Sequence, residues 1–236
     1  MQLGNVIDRV ACEIAMSSRA RRVRRERLTY LAAPKIVRLE RTLKSVAAAG
    51  CAGEYLEFGV ALGGASILIA AAARRAGRAF AGYDIFGMIP PPTSQNDDTK
   101  SLERYQVIAT GRSEGLGGDL YYGYRTDLVD EVQQTFSRHG LDVDGRSISL
   151  VKGLFEDTLP SRPAAPIAFA HIDCDWYDPV RLCLEHVMPS LSPGGAVIFD
   201  DYHDYGGCKV AVDEFLEAHP QVAMNDGPNV ILSLRA

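Results

Sequence analysis

YLEFGVALGGASILIAAAARRAGRAFAGYD, residues 55–84, contains a strand, a glycine turn, a helix and a second strand. YLEFGV (55–60) is a short apolar run bounded by glycine, which predicts a buried strand. GGASILIAAAARRA (63–76) is rich in alanine and long apolar side chains, which predicts the helix after it. RAFAGYD (78–84) predicts the next strand. Strand, crossover helix and strand make a βαβ unit, whose two strands lie parallel in one sheet.

The same alternation continues along the chain. Upstream, PKIVRLERTLKSVAAA (34–49) starts with proline and repeats Ile36, Leu39, Leu43 and Val46 at helical spacing. Downstream, a Pro/Ser/Asp stretch (87–99) and a Gly-rich stretch with three tyrosines (110–124) predict a lid loop over about 87–126. A helix follows, from about Asp127 to Arg138. ISLVKG (148–153), IAFAHID (167–173) and AVIFDDY (196–202) predict three more strands. DPVRLCLEHVMP (178–189) predicts a helix capped by Asp178 with Pro179 at its first position. GCKVAVDEFLEAH (207–219) predicts another, and QVAMNDGPNVILSL closes the chain as a hairpin about Asn-Asp-Gly. The expected architecture is α/β: a mainly parallel seven-stranded Rossmann-like sheet with a terminal antiparallel hairpin and helices on both faces. The expected organisation is one domain over 51–236, carrying the lid, with a helical arm over 1–50 as part of it.

The bulk composition fits this. The chain has 236 residues, 47% apolar and 23% charged, enough to form a core without disulfides. The five cysteines (12, 51, 174, 183, 208) are odd in number and form no CxxC pair, which points away from a disulfide framework and toward a reducing cytoplasm. No run approaches 18 apolar residues, and the first residues contain acids and no long apolar core, so neither a membrane span nor a secretory signal is expected. The net charge of −5 is segregated: residues 1–50 carry +7 and the remainder −12. Six arginines fall in RARRVRRER (19–27). A solvated helix facing the acidic body or a partner subunit is expected there rather than a nucleic-acid arm, because no aromatic is interleaved.

The turn after the first strand holds Glu57, Gly59, Gly63 and Gly64 and runs into a helix N-terminus, the arrangement that receives a nucleotide-like ligand. Asp84 ends the second strand, 25 residues beyond Gly59, where a carboxylate suits a ribose diol or caps a turn. The glycine pattern is G-x-x-x-G-G, not G-x-G-x-x-G, so it spells no pyrophosphate cradle and favours S-adenosylmethionine over NAD. HIDCDWYD (171–178) and FDDY (199–202) end two further strands, bringing Asp173 and Asp175 to the rim with Asp200 and Asp201. Such carboxylates need protons or a cation, and a hard divalent ion is the natural partner. Asp200 or Asp201 capping the next helix is the plainer reading.

EYLEFGVALGG (54–64), YDIFGMIP (83–90), GLFEDTLP (153–160), HIDCDWYDPV (171–180) and LSPGGAVIFDDYHDYGGCKVAVDEF (191–215), with LTYL at 28–31, resemble the macrocin O-methyltransferase (TylF/MycF-type) family. The resemblance implies a class I methyltransferase that uses S-adenosylmethionine and Mg²⁺ (Mn²⁺ being equally accepted by oxygen ligands) and methylates sugar hydroxyls of natural products. It implies Asp173, Asp200 and Asp201 as metal ligands and Asp173 as base. It also implies Glu57, Gly59, Gly63, Gly64 and Ser66 about the methionine end of the cofactor, Asp84 at the ribose, and Gly153, Phe155 and Glu156 near the adenine. A homo-oligomer is expected. Catechol methyltransferases share the paired-acid logic but carry a lysine where this chain has Trp176, and asparagine where it has Asp201.

His203, beside the acid pair, is the second candidate base, and His171 is expected to be structural. Trp176 and the lid tyrosines Tyr121, Tyr122 and Tyr124 are the candidate walls for a small-molecule acceptor. A phenol or catechol methyltransferase, a nucleic-acid methyltransferase and a silent scaffold are the competing classes.

Overall fold

A computed structural model describes residues 11–162 and 164–235. The apolar runs form seven strands: β1 (Glu54–Phe58), β2 (Phe80–Asp84), β3 (Ile148–Lys152), β4 (Ile167–Ile172), β5 (Leu191–Phe199), β6 (Val222–Asn225) and β7 (Val230–Leu234). They make one sheet in the order β3-β2-β1-β4-β5-β7-β6. β1 to β5 pair in parallel, and β7 and β6 complete the sheet antiparallel, as the terminal hairpin predicted. The strand order reverses between β1 and β4, so a crevice opens at their carboxyl ends.

Helices cover both faces. On one lie α1 (Ser18–Arg25), α2 (Ala33–Ala48), α3 (Gly64–Arg75) and α5 (Leu128–Arg138), sharing a core in which Val23, Ile36, Ile67 and Phe136 meet Phe169 and Ile198. On the other lie α7 (Tyr177–Val187) and α8 (Gly206–Ala218), where Val180, Leu184 and Val212 meet Phe58, Ile172 and Phe199. α2 buries Ile36, Leu39, Leu43 and Val46, the stripe its spacing predicts. α1 buries only Ala20 and Val23 and turns its arginines outward. The one-turn α6 (Phe155–Thr158) follows β3.

Three local expectations are corrected. The lid is not all loop: α4 (Thr99–Ala109) forms inside it, because Asp98 caps its first turn by accepting from the Ser101 N–H at 2.9 Å. α7 begins at Tyr177, not after an Asp178 cap. Its first N–H is taken by Asp97 Oδ1 from the distant lid at 2.9 Å, a tertiary acceptor no local pattern reveals. β5 starts five residues early, at Leu191, running through Gly194 and Gly195. Among the described residues all five cysteines are free, and no helix is long and apolar enough to cross a membrane.

Candidate active site

The crevice is built by close backbone approach. Gly59 sits just past β1 at φ 95°, and a Cβ there would overlap the Asp173 carbonyl oxygen. The two strand ends are laced together, Asp173 N–H donating to Phe58 O at 2.9 Å. Gly64 opens α3 and donates its N–H to Leu28 O at 2.9 Å, and a Cβ there would overlap that carbonyl. The residue before it, Gly63, caps the helix in the left-handed region. These glycines therefore let the turn pack against β4 and the N-terminal segment, a constraint the sequence reading attributed to the ligand.

Asp84 clamps this turn. Its Oδ2 accepts from Val60 N–H (2.7 Å) and Ala61 N–H (2.9 Å), and its Oδ1 accepts from Phe86 N–H (2.5 Å). Ala61 and Phe86 both hold positive φ, 47° and 49°, uncommon for residues with a Cβ. One carboxylate thus stabilises two strained turns. Burial pushes its pKa up, against those three bonds. With three of about four lone-pair sites spent, Asp84 keeps about one for a ribose, not the pair the sequence suggested.

Glu57 is buried against protein, at 1% exposure, rather than open to a ligand. Its Oε1 lies 2.9 Å from His171 Nδ1, and its Oε2 accepts from the Ser66 hydroxyl. Ser66 is therefore spent on Glu57. Burial raises the Glu57 pKa, and His171 opposes that rise. For His171, burial lowers the pKa, but the bond and charge of Glu57, with Asp173 and Asp200, outweigh it and lift it to about 9.

The carboxylates meet at the ends of β4 and β5. Asp173, Asp175 and Asp201 each bring an oxygen within 4.8 Å of the others. Asp175, at φ 61°, donates its N–H to Asp201 Oδ2 at 3.1 Å. Burial, then the mutual charge of the neighbouring acids, raises the pKa values of Asp173 and Asp201 well above the usual range, and Asp175 rises to about 6. Asp200 is held from behind by a residue the sequence reading missed. Lys35, near the start of α2, donates to Asp200 Oδ2 and to its carbonyl, both at 2.9 Å, and to Asp204 Oδ2 at 2.8 Å. Asp200 Oδ1 is buried with no protein partner among the described residues. An all-oxygen donor set with one orphaned carboxylate oxygen fits a hard divalent cation, and Asp175 joins the three expected acids. Lys35 carried no motif and was traceable only through the fold.

Other candidates move away from the chemistry. His203 is 43% exposed at its side chain, 2.9 Å from Asp226 on the hairpin turn and edge-on to Tyr202. Trp176 is no open wall: it is 2% exposed, donates from Nε1 to Pro90 O at 3.0 Å, and stacks edge-on with Tyr205. The lid tyrosines form a small core of their own. Tyr121 packs on Tyr122 and Tyr124, with its hydroxyl pushed up to about 12 by burial, and Tyr124 donates from its hydroxyl to Ile108 O at 2.6 Å. Phe155 packs edge-on against Phe58 in the core, Glu156 is exposed, and Gly153 sits at φ 148° in the turn after β3.

Residues 17–225 match the macrocin-O-methyltransferase (TylF) family. The chain is 31% identical over 197 residues to mycinamicin III 3''-O-methyltransferase of Micromonospora griseorubida, covering 81% of this chain and 71% of that protein. It is 29% identical over 188 residues to the 8-demethyl-8-(2,3-dimethoxy-alpha-L-rhamnosyl)-tetracenomycin-C 4'-O-methyltransferase of Streptomyces olivaceus, covering 76% and 67%. Its fold superposes on the O-methyltransferase NovP with a TM-score of 0.71 at 24% identity, over 89% of this chain and 83% of that one.

Proposed function

From the premise that the chain belongs to the macrocin-O-methyltransferase family, whose members are O-methyltransferase enzymes, we propose that it methylates a sugar hydroxyl of a glycosylated small molecule. The methyl donor in this reading is S-adenosylmethionine, received at the β1–β4 crevice, and a divalent cation, Mg²⁺ or Mn²⁺, occupies the acidic rim. The observation that carries the metal half is the convergence of Asp173, Asp175 and Asp201 beside the orphaned oxygen of Asp200. The two curated relatives described above both carry sugar positions in their names, which favours a sugar over a catechol.

The chain's own residues divide the work. Asp173, Asp175, Asp200 and Asp201 would hold the cation. A hard cation there would supply a Lewis acid that lowers the pKa of the acceptor hydroxyl. Asp173 is the base in this reading, its carboxylate lying at the rim with Asp175 and Asp201, where the acceptor hydroxyl would be held. Lys35 fixes Asp200 with one oxygen spent and one turned free. Asp84 and Glu57 hold the turn and the strand end that carry the cofactor. Fixed relative orientation of the two reactants contributes on the order of 7–11 kcal/mol to lowering the barrier. The lid, stiffened by α4 and the Tyr121–Tyr124 cluster, excludes water above them.

The test is calorimetry with S-adenosylhomocysteine, with and without Mg²⁺, on the wild type and Asp201→Ala. The expected result is cofactor binding in both proteins, with metal binding and turnover lost from the variant. Absence of cofactor binding in the wild type would refute the donor. Full metal-dependent turnover by Asp201→Ala would refute the metal site. A panel of deoxysugar glycosides against catechols then separates the acceptor classes.

A further inference from the structure

The arginine run plays no part in the crevice, yet it walls a cavity of about 570 Å³ on another side of the molecule. The cavity lies between α1, α2, α3 and the turn after α5, with Leu68 and the buried His139 among its lining. Arg19, Arg21, Arg22 and Arg25 enter from α1, and Arg75 enters from the end of α3. Arg75 is eleven residues from Gly64, about 16 Å along the helix, so this cavity is separate from the acidic rim.

The charges there are poorly matched. Among the described residues only Arg22 has a carboxylate partner, Glu26 at 2.6 Å, and the other oxygen of Glu26 is 2.9 Å from His139. Arg19 donates to the His139 carbonyl at 2.8 Å, and Arg21 to the carbonyls of Glu13 and Met16. These bonds leave both positive charges unneutralised. Among the described residues Arg25 and Arg75 have neither an ion pair nor a side-chain hydrogen bond. The acid that lines the cavity, Glu40, accepts from the Ser17 N–H at 2.9 Å, one carboxylate against five arginines. Burial and the charges of Arg74, Arg75 and Arg22 together depress the Arg19 pKa, so the guanidinium groups repel one another. Such crowding is a standing cost that a bound anion removes. Guanidinium also presents the planar donor fork that suits phosphate oxygens.

We propose that this cavity binds a small anion carrying two or more phosphate groups. The volume lies in the range of small-molecule sites and exceeds what one phosphate fills. Among the described residues no Phe, Tyr or Trp lines it, and its one ring, His139, is buried, which argues against single-stranded nucleic acid. The inference stands independently of the methyl-transfer reading.

Inorganic pyrophosphate is the probe. The full chain, free of divalent metal, is titrated with it by calorimetry at low salt, and its melting temperature is followed in parallel. A saturable one-to-one isotherm in the micromolar range is expected. Arg25→Glu with Arg75→Glu is expected to weaken it at least tenfold while S-adenosylhomocysteine affinity stays unchanged and the unliganded melting temperature holds or rises. Among the described residues neither side chain has a partner to lose, and the change relieves the repulsion. Absence of a saturable isotherm overturns the proposal. So does equal binding by the double variant, or an equal melting shift from sodium chloride at matched ionic strength. A short nucleic-acid duplex bound more than tenfold tighter than pyrophosphate also overturns it, in favour of nucleic acid.

Discussion

Asp84→Ala isolates what the acid at the end of β2 does. In the structure its carboxylate accepts three backbone N–H groups, from Val60, Ala61 and Phe86. Removing it leaves three largely buried donors unpaired, each costing about 1–3 kcal/mol where water cannot reach. It also frees Ala61 and Phe86 to relax out of positive φ, which returns about 1–2 kcal/mol apiece against that cost. Water entering at the rim recovers part of this, and about 4 kcal/mol is expected to remain. For a chain of this length that lowers the melting temperature by about 8–16 °C. Asp84→Asn keeps one acceptor oxygen, enough for Val60 and Ala61 but not for Phe86. Its loss is about 1–2 kcal/mol, or about 2–8 °C. The assay is thermal melting of the three proteins, paired with S-adenosylhomocysteine calorimetry. The expected order of stability is wild type, Asn, Ala, with cofactor affinity falling in step as the turn loosens. Were Asp84→Ala to melt within about 2 °C of the wild type while losing cofactor binding, the clamp would be idle. Asp84 would then act on the ribose alone, as its position in the sequence suggested.

His171 sets a pH dependence for the metal-free protein. Its folded pKa of about 9 lies above the unfolded 6.5, so its contribution is complete below pH 6.5 and is lost as pH rises toward 9, a loss of up to about 3 kcal/mol. The raised Asp173, Asp175 and Asp201 act in the same direction at lower pH, so metal-free melting temperature should fall from about pH 5 to 9 and His171→Gln should flatten the upper part. A melting temperature that rises over pH 6.5–9 would refute the pairing with Glu57. Gly59→Ala places a methyl group on the Asp173 carbonyl and should cost more than about 4 kcal/mol, read as loss of soluble folded protein; near-normal melting would mean that β1 and β4 separate freely there. Tyr124→Phe removes the hydroxyl bond to Ile108 O and should cost about 1 kcal/mol, or about 2–4 °C, with faster proteolysis confined to the lid. Unchanged lid cleavage would show that the tyrosine cluster holds without it.

Much of the fold was legible because each element states its period locally. The βαβ unit at 55–84, the α2 stripe and the Asn-Asp-Gly hairpin need no distant information. The failures come where a distant group decided. α4 is hidden between a proline-rich and a glycine-rich stretch, although Asp98, three residues before Ser101, already offers its cap. The start of α7 was misplaced because Asp178 and Pro179 make a plausible local cap. What fixes that helix is Asp97, 80 positions away in sequence.

At the site the sequence revealed which residue types reach the strand ends, and not which of their lone pairs are already spent. Asp173, Asp175 and Asp201 converge, and Asp200 groups with Asp201 and Asp204, because parallel strands put their carboxyl ends on one rim. Glu57, Ser66 and Asp84 look identical to ligand-binding residues in the sequence, yet the fold commits Glu57 to His171 and Ser66, and Asp84 to three backbone donors. Trp176 and Tyr124 are likewise turned inward by Pro90 and Ile108. An exposed-looking polar residue beside a glycine turn is therefore best tested by counting its hydrogen bonds before assigning it a ligand. By that count Asp200 has Lys35 on one oxygen and, among the described residues, no partner on the other, as Asp97 has Tyr177 N–H on one and none on the other. A buried carboxylate oxygen without a donor is costly to keep. The orientation of Asp200 at the rim depends on α2, whose sequence shows no sign of the site.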